Sequence, residues 1–273
     1  TAGLLWILML GSFSVFAQER IVSFDSDIAI QTDASMLVTE TIVVNSTSNQ
    51  IRRGIFRDFP TRYRDRLNNN YHVGFELLQV TRDGQPEPSR IEALANGLRI
   101  YIGDANTLLA PGAYRYSLQY RTSRQLGFFA DRDELYWNVT GNGWGFSIEQ
   151  ASATMHLPVQ VMPAELELLA FTGAVGSTAQ DYTASLLPDG GSVTTTEVLP
   201  PQSGLTVVLR FPKGIVTAPG QLDLLGCLLL DNAGILLGLS ALLGSSAYLL
   251  YAWSRVGRDP RKGIIIPRYK PPD

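Results

Sequence analysis

Apolar and polar residues alternate in short runs through the middle of the chain, from about Arg20 to Lys213. In "AYRYSLQYRT" the tyrosines and the leucine fall on one side of the alternation, and the arginines, serine and glutamine fall on the other. This period of two is typical of a strand with one buried face. Gly, Pro and Asp separate the runs, as at Asp83-Gly84. The pattern therefore predicts a mainly β, sandwich-like domain over residues 18–215.

The predicted strands form two groups along the chain. In the first group, "RIVSFDSDIAI" and "MLVTETIVVN" flank the turn sequence "TDAS". The second group begins near Leu126 and includes "ASATMHLP", in which alanines, methionine and leucine alternate with polar residues. One large sandwich and two sheets or subdomains divided near residue 125 are both compatible with this pattern.

The chain begins with a short apolar stretch, "AGLLWILMLGSFSVFAQER". Its apolar part is too short to span a bilayer, and Val15 and Ala17 occupy the −3 and −1 positions of a cleavage site. We interpret residues 1–17 as a signal peptide, so that the mature protein would begin near Gln18. A membrane anchor and a buried helix are the alternatives.

A second apolar stretch, Asn232–Trp253, carries no charged side chain. As a helix rising about 1.5 Å per residue it would be about 33 Å long, close to the roughly 30 Å hydrocarbon core of a bilayer. A buried helix of a soluble protein would show a polar face, and this stretch has none. We therefore predict a transmembrane helix over 232–253. Residues 216–231 form a membrane-proximal linker, in which "LDLLGCLLLDN" is an interfacial helix or an entry turn.

Residues 254–273 form a basic tail, in which arginine and lysine outnumber aspartate. The positive-inside rule places such a tail in the cytoplasm, and a signal peptide places residue 18 onward outside. The sequence thus predicts a membrane protein with its β-domain outside and its basic tail in the cytoplasm. The expected partners are the lipid bilayer and other membrane or envelope proteins. A net charge of −3 argues against nucleic acid.

No catalytic, cofactor-binding or metal-binding residues are predicted. His156 falls on the polar face of its alternating strand, which favours a solvated side chain over a catalytic base. His72 has no carboxylate near it in the sequence, and Cys227 has no second cysteine. "DRDE" at 131–134 offers several carboxylates but lacks the loop of an EF-hand, so an exposed acidic turn is favoured over a calcium site. The sequence therefore favours a protein that is not an enzyme.

An arginine-rich stretch, "IRRGIFRDFPTRYRDR", is the main candidate for recognition. Guanidinium groups pair with carboxylates and phosphates through two parallel hydrogen bonds. The stretch could bind an anionic ligand, a lipid headgroup, a wall polymer or a protein partner. Alternatively, it is an exposed hairpin whose arginines pair with carboxylates and stack on tyrosines. The candidate residues are Arg52, Arg53, Arg57, Arg62 and Arg64.

Two tryptophans flank the glycine-rich segment "NVTGNG". Large aromatic side chains beside a tight turn are typical of a core anchor, and a ligand-stacking platform is the alternative. We therefore treat Trp137 and Trp144 as structural or stacking aromatics.

Three phrases in this order resemble a bacterial family of predicted membrane proteins, domain of unknown function 2207: "RRGIFRDFPT", "LYWNVTGNGWGFSIEQASATMHLP" and "RVGRDPRKGIIIPRYKPPD". The resemblance covers nearly all of residues 20–273. It implies an exported β-rich domain, a membrane helix and a further C-terminal region, which the signature at 257–260 and 269–272 normally precedes. The chain thus resembles the N-terminal part of such a protein. The resemblance brings no activity and no catalytic residues.

These observations favour a membrane-anchored binding or assembly module of the cell envelope. The alternative is a component of an envelope enzyme, transporter or sensor whose active part lies in the further C-terminal region.

Overall fold

A computed structural model describes residues 18–65, 67–258 and 269. These residues divide into two compact units. The first consists of residues 18–64 and 71–219, and the second consists of the described residues of 65–70 and those from 220 onward. The predicted signal peptide, and all of the predicted basic tail except 254–258 and 269, lie outside the described residues.

Strands account for most of the regular structure. They make up about 49% of the chain and helices about 16%, so the prediction of a mainly β protein is confirmed. In chain order the strands are β1 (Arg20–Ile30), β2 (Met36–Ser46), β3 (Ile55–Pro60), β4 (Arg62–Arg64), β5 (Asn70–His72), β6 (Gly74–Arg82), β7 (Gln85–Pro86), β8 (Ser89–Leu94), β9 (Gly97–Ile102), β10 (Gly112–Ser123), β11 (Leu126–Phe128), β12 (Asp133–Asn138), β13 (Ile148–His156), β14 (Glu167–Ala174), β15 (Tyr182–Leu187), β16 (Gly190–Thr195) and β17 (Ser203–Phe211). A 3-10 helix spans Pro163–Glu165.

The strands form an eight-stranded sheet in the order β15-β16-β13-β1-β2-β10-β6-β7. A four-stranded sheet has the order β11-β12-β17-β14, a three-stranded sheet β3-β9-β8, and a two-stranded sheet β4-β5. In the largest sheet β1 pairs in parallel with β13, and Ile21 lies opposite Ile148. A distant part of the chain is therefore inserted beside the N-terminal hairpin.

Alternation in the sequence follows burial closely in β2. Every second residue from Met36 to Ser46 is buried, and the residues between are half-exposed. The predicted turn at "TDAS" is confirmed: Ala34 has a φ of 63°, and the Asp33 carboxylate accepts hydrogen bonds from the Ser35 N–H and hydroxyl. Such a side chain holds a turn without help from distant residues.

Side chains from three sheets bury one common core. Phe24 from β1, Phe59 from β3 and Trp137 from β12 belong to the same apolar cluster. The Phe59 and Trp137 rings lie 5.8 Å apart between centroids. The chain passes from the eight-stranded to the four-stranded sheet at Arg124, which has a φ of 63°. A strict sandwich arrangement and a division near residue 125 stay predictions.

The second unit contains α1 (Gln221–Asp231) and α2 (Ala233–Val256). α2 is long and apolar enough to cross a membrane, as the sequence predicts. Part of the predicted linker is helical, because α1 begins at Gln221. Asn232 lies between the helices, where its Oδ1 accepts from the Asn70 N–H at 2.9 Å and its Nδ2 donates to the Asn70 carbonyl at 3.2 Å.

Candidate functional site

Arg57 forms a buried ion pair with Glu40. Nε of Arg57 lies 2.9 Å from Oε2 of Glu40, and Nη2 lies 2.9 Å from Oε1. The two side chains are 5% and 0% exposed. Alternation places Arg57 of β3 and Glu40 of β2 on the buried faces of their strands. The two parallel bonds fix the guanidinium plane as well as its charge.

Other groups complete the surroundings of the ion pair. The Tyr120 hydroxyl donates to Glu40 Oε1 at 2.8 Å, and Arg57 donates to the carbonyls of Val139 and Asp58 at 3.0 and 3.1 Å. Burial lowers the pKa of Arg57, but the attraction and hydrogen bonds of Glu40 outweigh it and raise the pKa. Burial raises the pKa of the Tyr120 hydroxyl well above its usual range. The guanidinium of Arg57 therefore stays charged at neutral pH.

The segment "NVTGNGW" packs directly on this guanidinium. Gly141 has a φ of 71°, and a Cβ there would lie 2.6 Å from Arg57 Nη1. Trp144 Nε1 donates to the Thr140 carbonyl at 2.8 Å, and the Thr140 hydroxyl accepts from the Leu205 N–H at 3.0 Å. The glycine is therefore needed both for its backbone conformation and for the close approach.

A cleft of about 780 Å³ opens beside this segment, within the first unit. This volume is within the range of small-molecule and cofactor sites. Its walls are rich in aromatic side chains, which are Phe56, Phe59, Tyr63, Tyr71, Tyr136, Trp137 and Trp144. Amide side chains also line it, namely Asn96, Gln125, Asn138 and Asn142. A second pocket of about 430 Å³ shares Tyr136, Asn138, Asn142 and Val175, so the concave surface extends towards β14 and β17.

Both carboxylates that line the cleft are paired with arginines. Asp58 accepts two hydrogen bonds from Arg99, at 2.6 and 2.7 Å, and Arg99 stacks 4.0 Å from the centre of the Phe56 ring. The hydrogen bonds of Asp58 raise the pKa of Arg99. Glu134 accepts from Arg210 at 2.7 Å. The walls therefore offer aromatic and amide surface beside compensated carboxylates.

The predicted tryptophans Trp137 and Trp144 are buried side chains next to this cleft. Trp137 is 4% exposed and Trp144 is 7% exposed, so both rings contribute to the core. Both also line the cleft. Nε1 of Trp137 is buried and has no hydrogen-bond partner among the described residues. A buried donor without a partner is uncommon in folded proteins and calls for an explanation.

The five predicted arginines do not share one surface. Arg57 lines the cleft and is buried, whereas Arg52 and Arg53 are exposed in the turn before β3. Arg62 and Arg64 are exposed on β4. For these four exposed residues, anion or partner binding stays a prediction.

Sequence reasoning missed an ion-paired histidine. His156 Nδ1 lies 2.9 Å from Asp189 Oδ2, and Nε2 lies 3.4 Å from Asp27 Oδ2. Burial lowers the pKa of His156, but the bonds and charges of the two aspartates outweigh it and raise the pKa. These residues meet because β13 pairs with β1 and ends beside the turn before β16. No local sequence signal contains this information.

The "DRDE" segment is not simply an exposed acidic turn. Asp133 is 1% exposed and accepts from Lys213 Nζ at 2.8 Å, while Asp131 is exposed beside Arg132. The expectation of an exposed turn is therefore wrong for Asp133, because β12 begins there and turns its side chain inward. Within the described ranges, no group of three or more His, Cys, Asp or Glu side chains is placed to hold a metal ion.

Residues 20–211 match the family described as predicted membrane protein (DUF2207), N-terminal domain. The chain belongs to this family. The chain is also similar to the "Uncharacterized protein YciQ" of Escherichia coli (strain K12), with 27% identity over 259 residues. That match covers 94% of this chain and 40% of the relative. The chain therefore spans less than half of the relative's length.

Solved structures with partial similarity include a hydrolase and a metallopeptidase. Yeast LTA4 hydrolase in complex with bestatin matches 69% of this chain and 28% of its own, with a TM-score of 0.44 and 11% identity. The M1 zinc metallopeptidase from Deinococcus radiodurans matches 69% of this chain and 42% of its own, with a TM-score of 0.36 and 14% identity. With TM-scores and identities this low, the similarity supports no statement about activity.

Proposed function

We propose that this β-domain is a binding module that captures a ligand in the cleft beside Arg57, while α2 anchors it to the membrane. The observation that carries the proposal is the cleft itself, with its aromatic and amide walls. Arg57, which lines the cleft, is held by its buried ion pair with Glu40. A site held in place before binding avoids part of the ordering cost of association.

The proposed location follows from the two apolar stretches and the basic tail. The β-domain lies outside the inner membrane of a bacterial cell, and the tail lies in the cytoplasm. Protease added to spheroplasts would then remove the β-domain and spare the tail. Protection of the β-domain would reverse the proposed orientation.

Photo-crosslinking in intact cells tests the binding function. A benzophenone amino acid replaces Tyr136, which lines the cleft and is 61% exposed. The matched control carries the same group at Leu186, which is 40% exposed on the edge strand β15 of the eight-stranded sheet. We expect a discrete adduct from position 136 that is absent from position 186. Equal labelling of both positions, or none at 136, would refute capture in the cleft.

A second candidate is a receptor part of a larger envelope enzyme, transporter or sensor. The observation that favours it is that YciQ extends well beyond the matched region. In that case the adduct at position 136 would contain a substrate or signal molecule processed by the rest of the protein.

A further inference from the structure

Asn232 joins three segments of the second unit: the end of α1, the start of α2 and the turn between β4 and β5. Its Nδ2 donates to the Leu228 carbonyl of α1 at 2.9 Å and to the Asn70 carbonyl at 3.2 Å. Its Oδ1 accepts from the Asn70 N–H at 2.9 Å. The residue is 8% exposed. An amide side chain can make all of these bonds because it carries both donors and an acceptor. The turn is therefore tied to the boundary between the two helices by specific hydrogen bonds.

The described part of this turn consists of Asp65 and residues 67–70, and we call it the junction turn. Asp65 closes it, because Oδ1 accepts from the N–H groups of Leu67 and Asn69 at 2.8 Å each and Oδ2 accepts from Asn69 Nδ2 at 2.9 Å. A carboxylate bonded to the backbone two residues further on is a common way of fixing a turn. Leu67 is nevertheless 83% exposed. The junction turn thus presents a large apolar side chain from a backbone of fixed shape.

α1 is too short to cross a bilayer. Its 11 residues extend over about 16 Å, roughly half of a hydrocarbon core of about 30 Å. Asp223 in the first turn and Asp231 at the last position place charge near both ends, and the rest of the helix carries none. Six leucines of α1 are each more than 40% exposed, namely Leu222, Leu224, Leu225, Leu228, Leu229 and Leu230. The boundary between headgroups and acyl chains suits such a helix, because it accepts apolar side chains while both charged ends stay in contact with water.

Asn232 also marks one end of the apolar stretch that is able to cross a membrane. α2 begins directly after it, at Ala233, and Asp231 directly precedes it. Asn232 has φ −118° and ψ 22°, outside the α-helical range, so α1 and α2 are separate helices. Charged residues that flank a spanning helix lie at the bilayer surface, because the hydrocarbon core is costly for them. When α2 spans, Asn232 is therefore near the surface, and so is the junction turn bonded to it.

We propose that α1 lies in the plane of the membrane surface and that the junction turn inserts Leu67 among the lipid headgroups. The partner of this surface is the lipid bilayer, which would take up the exposed apolar side chains of both segments. The inference rests on anchoring by α2, which is part of the proposed function, and it does not depend on a ligand in the cleft. Asn70 and Asn232 are 162 residues apart in sequence, so two distant parts of the chain would contact the same leaflet.

Spin labels test the orientation of α1 in nanodiscs of phosphatidylcholine and phosphatidylglycerol that contain the full chain. Oxygen concentrates in lipid and a nickel chelate stays in water, so the ratio of their collisions with a label reports its depth. Leu222→Cys and Leu229→Cys, each with Cys227→Ser, place labels seven residues apart on one face of α1 and about 10 Å apart along its axis. We expect equal depths. A label at 229 that is deeper than one at 222 by about 10 Å would refute the in-plane orientation, because α1 would then enter the bilayer.

The same method tests the junction turn through Leu67→Cys in the Cys227→Ser background. We expect this label to lie about 5–10 Å within the boundary between headgroups and acyl chains, with oxygen collisions favoured over nickel collisions. Val175→Cys is the matched control, because Val175 is 86% exposed between β14 and β15, where the Ser177 N–H closes a turn on the Ala174 carbonyl at 2.9 Å. We expect this control label to be accessible to nickel. Equal nickel accessibility at 67 and 175 would overturn insertion of Leu67.

Asn232→Ala tests whether the bonds of Asn232 hold the junction turn in place. It removes the bonds to Asn70 and to the Leu228 carbonyl and leaves the bonds of Asp65 within the turn. Ser245→Ala is the control, because the Ser245 hydroxyl bonds to carbonyls of its own helix, α2. We expect nickel accessibility at position 67 to rise in Asn232→Ala and to stay unchanged in Ser245→Ala. An unchanged value in Asn232→Ala would refute the role given to these bonds.

A label at Leu242→Cys, near the middle of α2, distinguishes this inference from the anchoring on which it rests. Lipid accessibility at 242 together with nickel accessibility at 67 would refute the contact of the junction turn and leave the anchoring intact. Nickel accessibility at both positions would refute the anchoring itself. The labelled side chains are all exposed, so the labels should leave the fold unchanged.

Discussion

Replacing Arg57 by methionine leaves the Glu40 carboxylate buried with the Tyr120 hydroxyl as its remaining side-chain partner. Glu40 is 0% exposed, so water cannot take the place of the guanidinium without opening the core. Removal of one member of a buried ion pair costs about 3–5 kcal/mol in measured cases. We expect a loss of this size in the free energy of unfolding of the Arg57→Met variant. Glu40→Met should cost a similar amount, because it leaves the guanidinium unpaired.

The double variant Arg57→Met/Glu40→Met removes both charges. Its remaining cost comes from the Val139 and Asp58 carbonyls and the Tyr120 hydroxyl, which lose their partners. Groups left without partners cost about 1–3 kcal/mol. The double variant should therefore be more stable than either single variant. In a double-mutant cycle the two single effects should be far from additive.

Urea unfolding of the full chain in detergent, followed by tryptophan fluorescence, measures these differences. Arg99→Met is the matched control, because the Arg99–Asp58 pair is partly exposed and such pairs contribute about 0–1 kcal/mol. Additive costs in the double variant, or an Arg57→Met cost no larger than that of Arg99→Met, would refute the central role given to the buried pair.

Two further predictions concern Gly141 and His156. Gly141→Ala should lower the free energy of unfolding by about 1–3 kcal/mol, because a φ of 71° is strained for alanine and the added Cβ would meet Arg57. The same urea assay measures this loss, and an unchanged unfolding midpoint would contradict the prediction. The pKa of His156 is raised by Asp189 and Asp27 despite burial, so its stabilisation should be complete below about pH 6.5, the unfolded value, and be lost as the pH rises through the folded pKa. Unfolding across this pH range should show that loss in the wild type and much less of it in Asp189→Asn, and equal profiles would disprove the assignment.

Local pattern predicted much of the secondary structure. The alternation over β2 and the turn held by Asp33 depend on side chains that are near each other in the sequence. A local stretch of sequence is therefore enough to predict both. The parallel pairing of Ile21 with Ile148 depends on contacts between distant segments, and no local pattern encodes it. The same reason explains why His156 was assigned to a solvated face and its two aspartates were missed.

The arginine-rich stretch shows how tertiary contacts change the meaning of a local pattern. In the sequence Arg57 is one of five candidate anion-binding arginines, and nothing local separates it from its neighbours. In the fold it bonds to Glu40 and to the Val139 carbonyl, and so joins "RRGIFRDFP" to the distant "NVTGNGW". Residues of both segments line the cleft. Because the guanidinium is already bonded on the inside, the proposed recognition would rest on the shape of the cleft rather than on the charge of Arg57.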